Sequence, residues 1–270
     1  MSTPPYTWTA PDGAVISYMP APVAPSPSPT PAPAPAQFAP SLPAAMVARL
    51  NAQPVFDDTF AHAEQWGTLW DETWFGGLKM NGMTLDTSLV TMLPGGGISL
   101  GVANGGKTGS MINTNPSNPN KPGFQIGYGY VECDIQFPAN SPAWACFWLN
   151  GQNWPQNGEN DVIEWLSTSG GGHIPTSNYH SGSSPSGTSD VAQNSGQIAG
   201  NWNGRHRFGV LRTPDSGGTS YRYWDGALVK QFLTHDGGAP QYVILSIGDP
   251  SSGGNGPMVA YRCTAWSLNH

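Results

Sequence analysis

YGYVECDIQFP, residues 128–138, alternates without a break from Tyr130 to Phe137. Val131, Cys133, Ile135 and Phe137 fall on one side, and Glu132, Asp134 and Gln136 fall on the other. Successive side chains of a β-strand point to opposite faces, so this stretch packs one face and turns the other toward water or ligand. Outward from it, apolar and aromatic runs recur at 97–102, 127–137, 144–149, 159–166, 205–212, 220–224, 242–247 and 259–266, separated by Gly, Pro, Asn and Ser. Short runs at that spacing predict an all-β sandwich. The 35 Gly and 27 Pro among 270 residues supply the turns such a fold needs.

Ahead of these runs the chain changes character. Residues 20–43 read PAPVAPSPSPTPAPAPAQFAPSLP, a tract that cannot build a core and is expected to extend as polyproline II, rising about 3.1 Å per residue. The expected organisation is an N-terminal segment of unassigned role over 1–19, a Pro-rich linker over 20–43, a short helix over 43–51, and one globular domain over 52–270. The opening MSTPPYTWTAPDG has neither a basic n-region nor an apolar h-region, and no run reaches transmembrane length, so membrane insertion is not expected. An extracellular location, or one on a cell envelope or a larger particle, is expected without a visible Sec-type signal.

A net charge of −7 with only 10 Lys and Arg leaves no electrostatic footprint for nucleic acid. The partner is therefore expected to be neutral or bound without basic clamps, and the chain to be a monomer. Cys133, Cys146 and Cys263 sit in apolar runs and read as buried thiols. A single Cys133–Cys263 bridge is the alternative, if the last strand lies beside the one carrying Cys133.

GVANGGKT, residues 101–108, satisfies the P-loop pattern, but GSMINTNPSNPNKPG follows it and cannot open the helix whose amides would face phosphate. A glycine-rich hairpin turn is the better reading. The six histidines show no HExxH and no zinc spacing, and no G-x-S-x-G elbow is present.

What remains is GENDVIEW, residues 158–165. Glu159 and Asp161, two apart on a strand, share a face. Glu164 joins them only if one extra residue near Val162 or Ile163 makes a β-bulge. Clustering like charges in a chain only 10% charged is costly, and no Lys or Arg falls between Lys121 and Arg205 to pair with them. Two carboxylates, one a nucleophile and one a protonated acid, cleave a glycosidic bond with retention, and a third between them keeps their proton affinities apart. Sugar rings pack on aromatic rings, and Trp144, Trp148 and Trp154 precede the trio, with Trp165 and Trp202 after it. Apolar-flanked Trp148 reads as core, whereas Trp154, in the turn-rich NGQNWPQNG, reads as a sugar platform.

These residues resemble glycoside hydrolase family 16, whose signature is E-x-D-x-x-E or E-x-D-x-E preceded by W-P-x-x-G. Glu159, Asp161 and Glu164 match the longer form, and Trp154, Pro155 and Gly158 match the lead-in. YGYVECDIQFP is similar to the family's YGYFEARIKLP, AWACFWLNG (143–151) to LWPAFWLLG, Phe56, Asp57, Asp58 and Phe60 to FDDEF, and TPDSGGTSYRYWDGALV (213–229) to its TPD…YVDG hairpin. Tyr179 and His180 resemble the strand after the catalytic one, and the likeness covers about 55–266. It implies a β-jelly roll of two curved antiparallel sheets. By the match Glu159 is the nucleophile, Asp161 its assisting partner and Glu164 the acid/base, with Trp154, Trp144, His180 and Trp165 as substrate-binding residues.

The longer form is shared by β-1,3-glucanases, agarases and carrageenases. Few basic residues argue against sulfated galactans, so a retaining endo-glycosidase of a neutral β-1,3-glucan is expected. The alternatives are a glycan-binding or attachment jelly roll without turnover, and a galactan hydrolase or transglycosylase. Asn160 stands where the family has Ile, on the side away from the cleft, at an expected cost in core packing. Thr59 and Ala260 replace two acidic calcium ligands of the family, so no structural calcium and no other cofactor is expected.

Overall fold

The computed structural model describes residues 6–9, 15–18, 39–61, 69–116, 122–170, 172–184 and 186–269. Two compact units divide the chain at residues 39 and 40. In the first, β1 (Tyr6–Thr9) and β2 (Val15–Tyr18) form an antiparallel hairpin. Residues 20–38 of the expected linker lie outside the described residues.

The second unit opens with α1 (Ala44–Val47), then β3 (Phe56–Asp58), β4 (Lys79–Met80), β5 (Met83–Leu85), β6 (Val90–Met92), β7 (Ile98–Leu100), β8 (Thr108–Asn113) and β9 (Gln125–Ile126). The long strands follow: β10 (Gly129–Phe137), β11 (Cys146–Gly151), β12 (Glu159–Ser167), β13 (His173–Gly182), β14 (Asp190–Asn194), β15 (Gly204–Thr213), β16 (Thr219–Trp224), β17 (Ala227–Leu233), β18 (Gln241–Ile247) and β19 (Met258–Ser267). They build two curled sheets, a β-jelly-roll sandwich. One runs β17-β16-β15-β10-β19-β7-β6, with β3 also on β19; the other runs β14-β13-β12-β11-β18-β8-β5-β4, with β9 also on β18. Pairing is antiparallel apart from β5 with β8, a parallel pair among the expected antiparallel ones.

The alternation of β10 decides its packing as expected. Val131, Cys133, Ile135 and Phe137 are all buried in the core between the sheets, with Phe147, Leu149, Val162, Ile163, Val243 and Leu245 facing them. Glu132, on the outer face of the same strand, is buried all the same. Its carboxylate accepts from Tyr130 Oη at 2.6 Å, from the backbone N–H of Ser41 at 2.9 Å, and from the Arg207 guanidinium. Residues 40–51 thus belong to the second unit. Arg49 grips Asp215 through two hydrogen bonds, of 2.7 and 2.9 Å, and the Asn51 N–H donates to Ser267 O.

The turn at 101–108 carries a short 3-10 stretch, Asn104–Gly106, closed by an Ala103–Thr108 bridge, and leads into strand β8. No helix follows, as expected, but the turn carries the chain from one sheet to the other and is not a hairpin. Cys133 and Cys263 lie directly opposite on β10 and β19, with Sγ atoms 2.8 Å apart, as buried free thiols. Among the described residues no helix is long and apolar enough to cross a membrane.

Candidate active site

Strand β12 is central in its sheet, between β11 and β13, and the register shows how it presents three carboxylates together. On β11, Phe147 pairs with Ile163 and the next residue, Trp148, pairs with Asp161. On β13, Asn178 faces Asp161 and Thr176 faces Glu164. One extra residue therefore sits in β12 at Val162–Ile163, the bulge that the spacing predicts. Both apolar residues enter the core, and Glu159, Asp161 and Glu164 share the outer face. Gly158 sets up the strand's entry. Its φ of 73° is left-handed, and a Cβ there would lie 2.8 Å from Asp236 Oδ2 and 2.9 Å from Gln241 Nε2.

The three carboxylates differ in their partners. Glu164 accepts from Trp144 Nε1 at 2.7 Å and from Asn178 Nδ2 at 2.6 Å, while Thr176 Oγ1 donates to its backbone carbonyl. Asp161 has His180 Nε2 at 3.8 Å, and the other ring nitrogen of His180 lies 2.9 Å from Asp190 Oδ2. Burial pushes the Glu159 carboxyl up to about 7, against the pull of His180 and a hydrogen bond from Trp154, with Glu164 pushing further up. Burial, then the charges of Glu159 and Glu164, hold Asp161 far above the usual carboxylate range. Burial also raises Glu164, opposed by the Trp144 and Asn178 donors. Ligand atoms of Glu159, Asp161 and His180 lie within 4.8 Å of one another, close enough to share a cation or a proton, and we read them as proton partners.

The expected substrate-binding residues divide. Trp144, Trp154 and His180 line the cleft over the trio, and Trp154 is half exposed. Trp165 does not reach it. Once the bulge turns Glu164 outward, alternation sends Trp165 inward, where it is 4% exposed and packs edge-on against Phe137. Trp148 makes the opposite exchange. Although buried, it belongs to the cluster of Met80, Met111, Cys146 and Tyr242 on the cleft side, and it floors the cleft. Trp202 packs on Trp224 and Phe208. Asn178 was missed, although it lies two residues before His180 and so shares its face. Trp74 and Phe75 extend the aromatic wall beside Trp154.

Asn160 does not leave a packing defect. Its side chain donates to Gln241 Oε1 at 2.8 Å and accepts from Ser220 Oγ at 2.6 Å and Arg222 Nη2 at 3.0 Å. A satisfied polar network replaces the apolar contact.

The sequence model for Glycosyl hydrolases family 16 matches residues 79–247, most of the globular unit and all three carboxylates of this site. The chain belongs to that family. No curated protein sequence matches this family 16 chain. Solved structures do. A structure from work on endo-acting O-glycanases that human gut microbiota express to initiate mucin breakdown is 18% identical, with a TM-score of 0.61, covering 80% of this chain and 91% of its own. The family 16 endo-glucanase of Bacteroides ovatus is 16% identical, with a TM-score of 0.59 and coverage of 78% and 99%. The laminarinase catalytic domain of Thermotoga petrophila is 18% identical, with a TM-score of 0.57 and coverage of 82% and 100%. At these identities the likeness is one of fold.

Proposed function

We propose that this glycoside hydrolase is a retaining endo-glycosidase acting on a neutral β-glucan, with β-1,3 linkages as its preferred bonds. The observation that carries the reading is the bulge, which sets three unequally partnered carboxylates, Asp161 and Glu164 buried and Glu159 half-buried, on one face of one strand. Retention needs two carboxyl groups about 5–5.5 Å apart, one ionised and one protonated. Glu159 attacks the anomeric carbon. Glu164, raised by burial and oriented by Trp144 and Asn178, gives its proton to the leaving oxygen and later takes one from water. Burial and the charges of Glu159 and Glu164 raise Asp161, which favours a proton on it beside Glu159 and lessens the charge repulsion in the trio.

The cleft supports a neutral chain. Its walls hold Trp74, Phe75, Trp144, Trp148 and Trp154 with Asn81, Asn150 and Gln152, and among the described residues no Lys or Arg lines it. A sulfated chain would meet Asp190 and the trio with no Lys or Arg from the described lining to pair with it. The reading also expects no bound calcium, because Thr59 and Ala260 offer no carboxylate.

The test is product analysis on laminarin, mixed-linkage glucan and agarose with wild type, Glu159→Gln and Glu164→Gln. Release of β-1,3-linked oligosaccharides by wild type alone supports it, and equal activity in all three sinks it. Binding without products from wild type would make the chain a glycan-binding jelly roll instead.

A further inference from the structure

Behind the three carboxylates, on the core side of the same strand, lies a cation. Arg222 is carried by β16 of the opposite sheet, is fully buried, and reaches across the sandwich to the back of the bulge. Its Nε donates to the Asp161 carbonyl at 3.3 Å and to Ser177 Oγ at 2.9 Å. Its Nη2 donates to the Asn178 carbonyl at 2.9 Å and to Asn160 Oδ1 at 3.0 Å, and Nη1 reaches Ser220 Oγ. Ser177 closes the set by donating its hydroxyl to the Asp161 carbonyl at 2.6 Å. Asp161 and Asn178 are the pair at which the β12–β13 register breaks. The guanidinium therefore ties both strands at the edge of the bulge, with the Phe232 ring 5.0 Å away.

Every acceptor in that set is neutral. Among the described residues no carboxylate comes within ion-pair distance of Arg222, whereas the fold's other deeply buried arginine, Arg212, has Asp236 at 3.1 Å. Burying a cation among neutral groups is costly unless opposite charge lies near. The charge available is the trio on the other face of β12.

We propose that Arg222 is a positioning residue of the active site, which pins the bulge from the core side and supplies the positive charge that offsets the three carboxylates. This rests on the glycosidase reading and adds to it a residue from the sheet that does not form the cleft. The charges around the trio Glu159, Asp161 and Glu164 are His180 from β13, Asp190 from β14 and Arg222 from β16; the titratable Cys146 of β11 and Tyr242 of β18 complete its surroundings. Arg222 is the one arginine among them. Burial pulls its own pKa down to about 9, and Asp161 is the first charge holding it up.

Across one strand thickness, on the order of 7 Å, at an effective dielectric near 20, a unit charge moves a neighbour's titration by roughly one to two pH units. A cation favours the anionic form, so removing it raises the carboxylates and moves the acidic limb of kcat/KM upward.

The experiment compares Arg222→Leu, Arg222→Lys and the double variant Asn160→Leu/Arg222→Leu, in which apolar contact replaces the network. Each is measured for Tm, for kcat/KM against pH on the glycan that wild type cleaves, and by 13C carboxyl NMR titration. The expected result is a folded double variant whose acidic limb and Asp161 titration move up by about one to two units. Arg222→Lys keeps the wild-type limb and loses several-fold in kcat, because a single ammonium cannot tie five acceptors. Wild-type titration in a folded double variant overturns the proposal, as does an equal shift in Arg222→Lys. Loss of folding in all three assigns Arg222 to stability alone and also overturns it. Inactive wild type defeats the glycosidase reading, and the NMR titration then still decides the charge role.

Discussion

Replacing Glu159 by Gln should make the protein more stable while abolishing its activity. Burial lifts this carboxyl from the ordinary 4.5 to about 7. At about 1.4 kcal/mol per pH unit the shift corresponds to about 3 kcal/mol. The proton is shared with Asp161 and Glu164, so about half of that, on the order of 1.5 kcal/mol, is the lower bound. The sign follows from linkage. The folded chain holds this proton more tightly than the unfolded chain, so the favourable contribution is complete below about 4.5 and is lost as pH rises through about 7. Gln stays neutral throughout. Calorimetry from pH 4 to pH 9 should show equal Tm for both proteins at the acid end. At pH 8 Glu159→Gln should melt higher by about 3–12 °C, given 2–4 °C per kcal/mol for a domain near 200 residues. A pH-independent difference, or a variant less stable than wild type at pH 8, would refute the idea that the trio is held together against its own charge.

Trp144→Phe keeps a ring over the cleft and removes one donor to Glu164. The acid then holds its proton to higher pH, and the basic limb of kcat/KM should move up by about one unit; an unmoved limb would show that Trp144 does not tune the acid. Trp154→Ala should lower kcat/KM on polymer by about tenfold while shifting Tm by less than about 1 °C, since its ring is half exposed; equal kcat/KM would remove it from the sugar path. Adding calcium should leave Tm unchanged, and a rise of several degrees would place a site that Thr59 and Ala260 do not supply. Deleting residues 1–39 should leave Tm and activity intact. Deleting residues 1–49 takes the Ser41 N–H from buried Glu132 and Arg49 from Asp215, and should cost about 1–3 kcal/mol in a urea melt; equal stability would make that docking incidental.

Strand periodicity made much of this molecule legible in advance. The eight apolar and aromatic runs all contain strands, because burial between turn residues is written locally, with a period of two where one face stays outside the core, as in β10. The ten-residue β13, HIPTSNYHSG, was marked only at Tyr179 and His180, since its polar residues face a cleft on one side and a buried arginine on the other. The bulge was legible for the opposite reason: three carboxylates at that spacing converge only with one residue extra. Its consequence for Trp165, turned inward by the next step of alternation, was equally present in the sequence and was not drawn.

Order along one strand thus determined the strands, the trio and the bulge. Tertiary structure alone decided what stands behind them. Arg222 lies 58 positions beyond Glu164 in the chain, and nothing local to GENDVIEW signals its approach. It reaches the back of Asp161 only because β16 and β12 belong to facing sheets. Charge acts through space, so the absence of Lys and Arg between residues 121 and 205 described the sequence neighbourhood of the trio and not its electrostatic one.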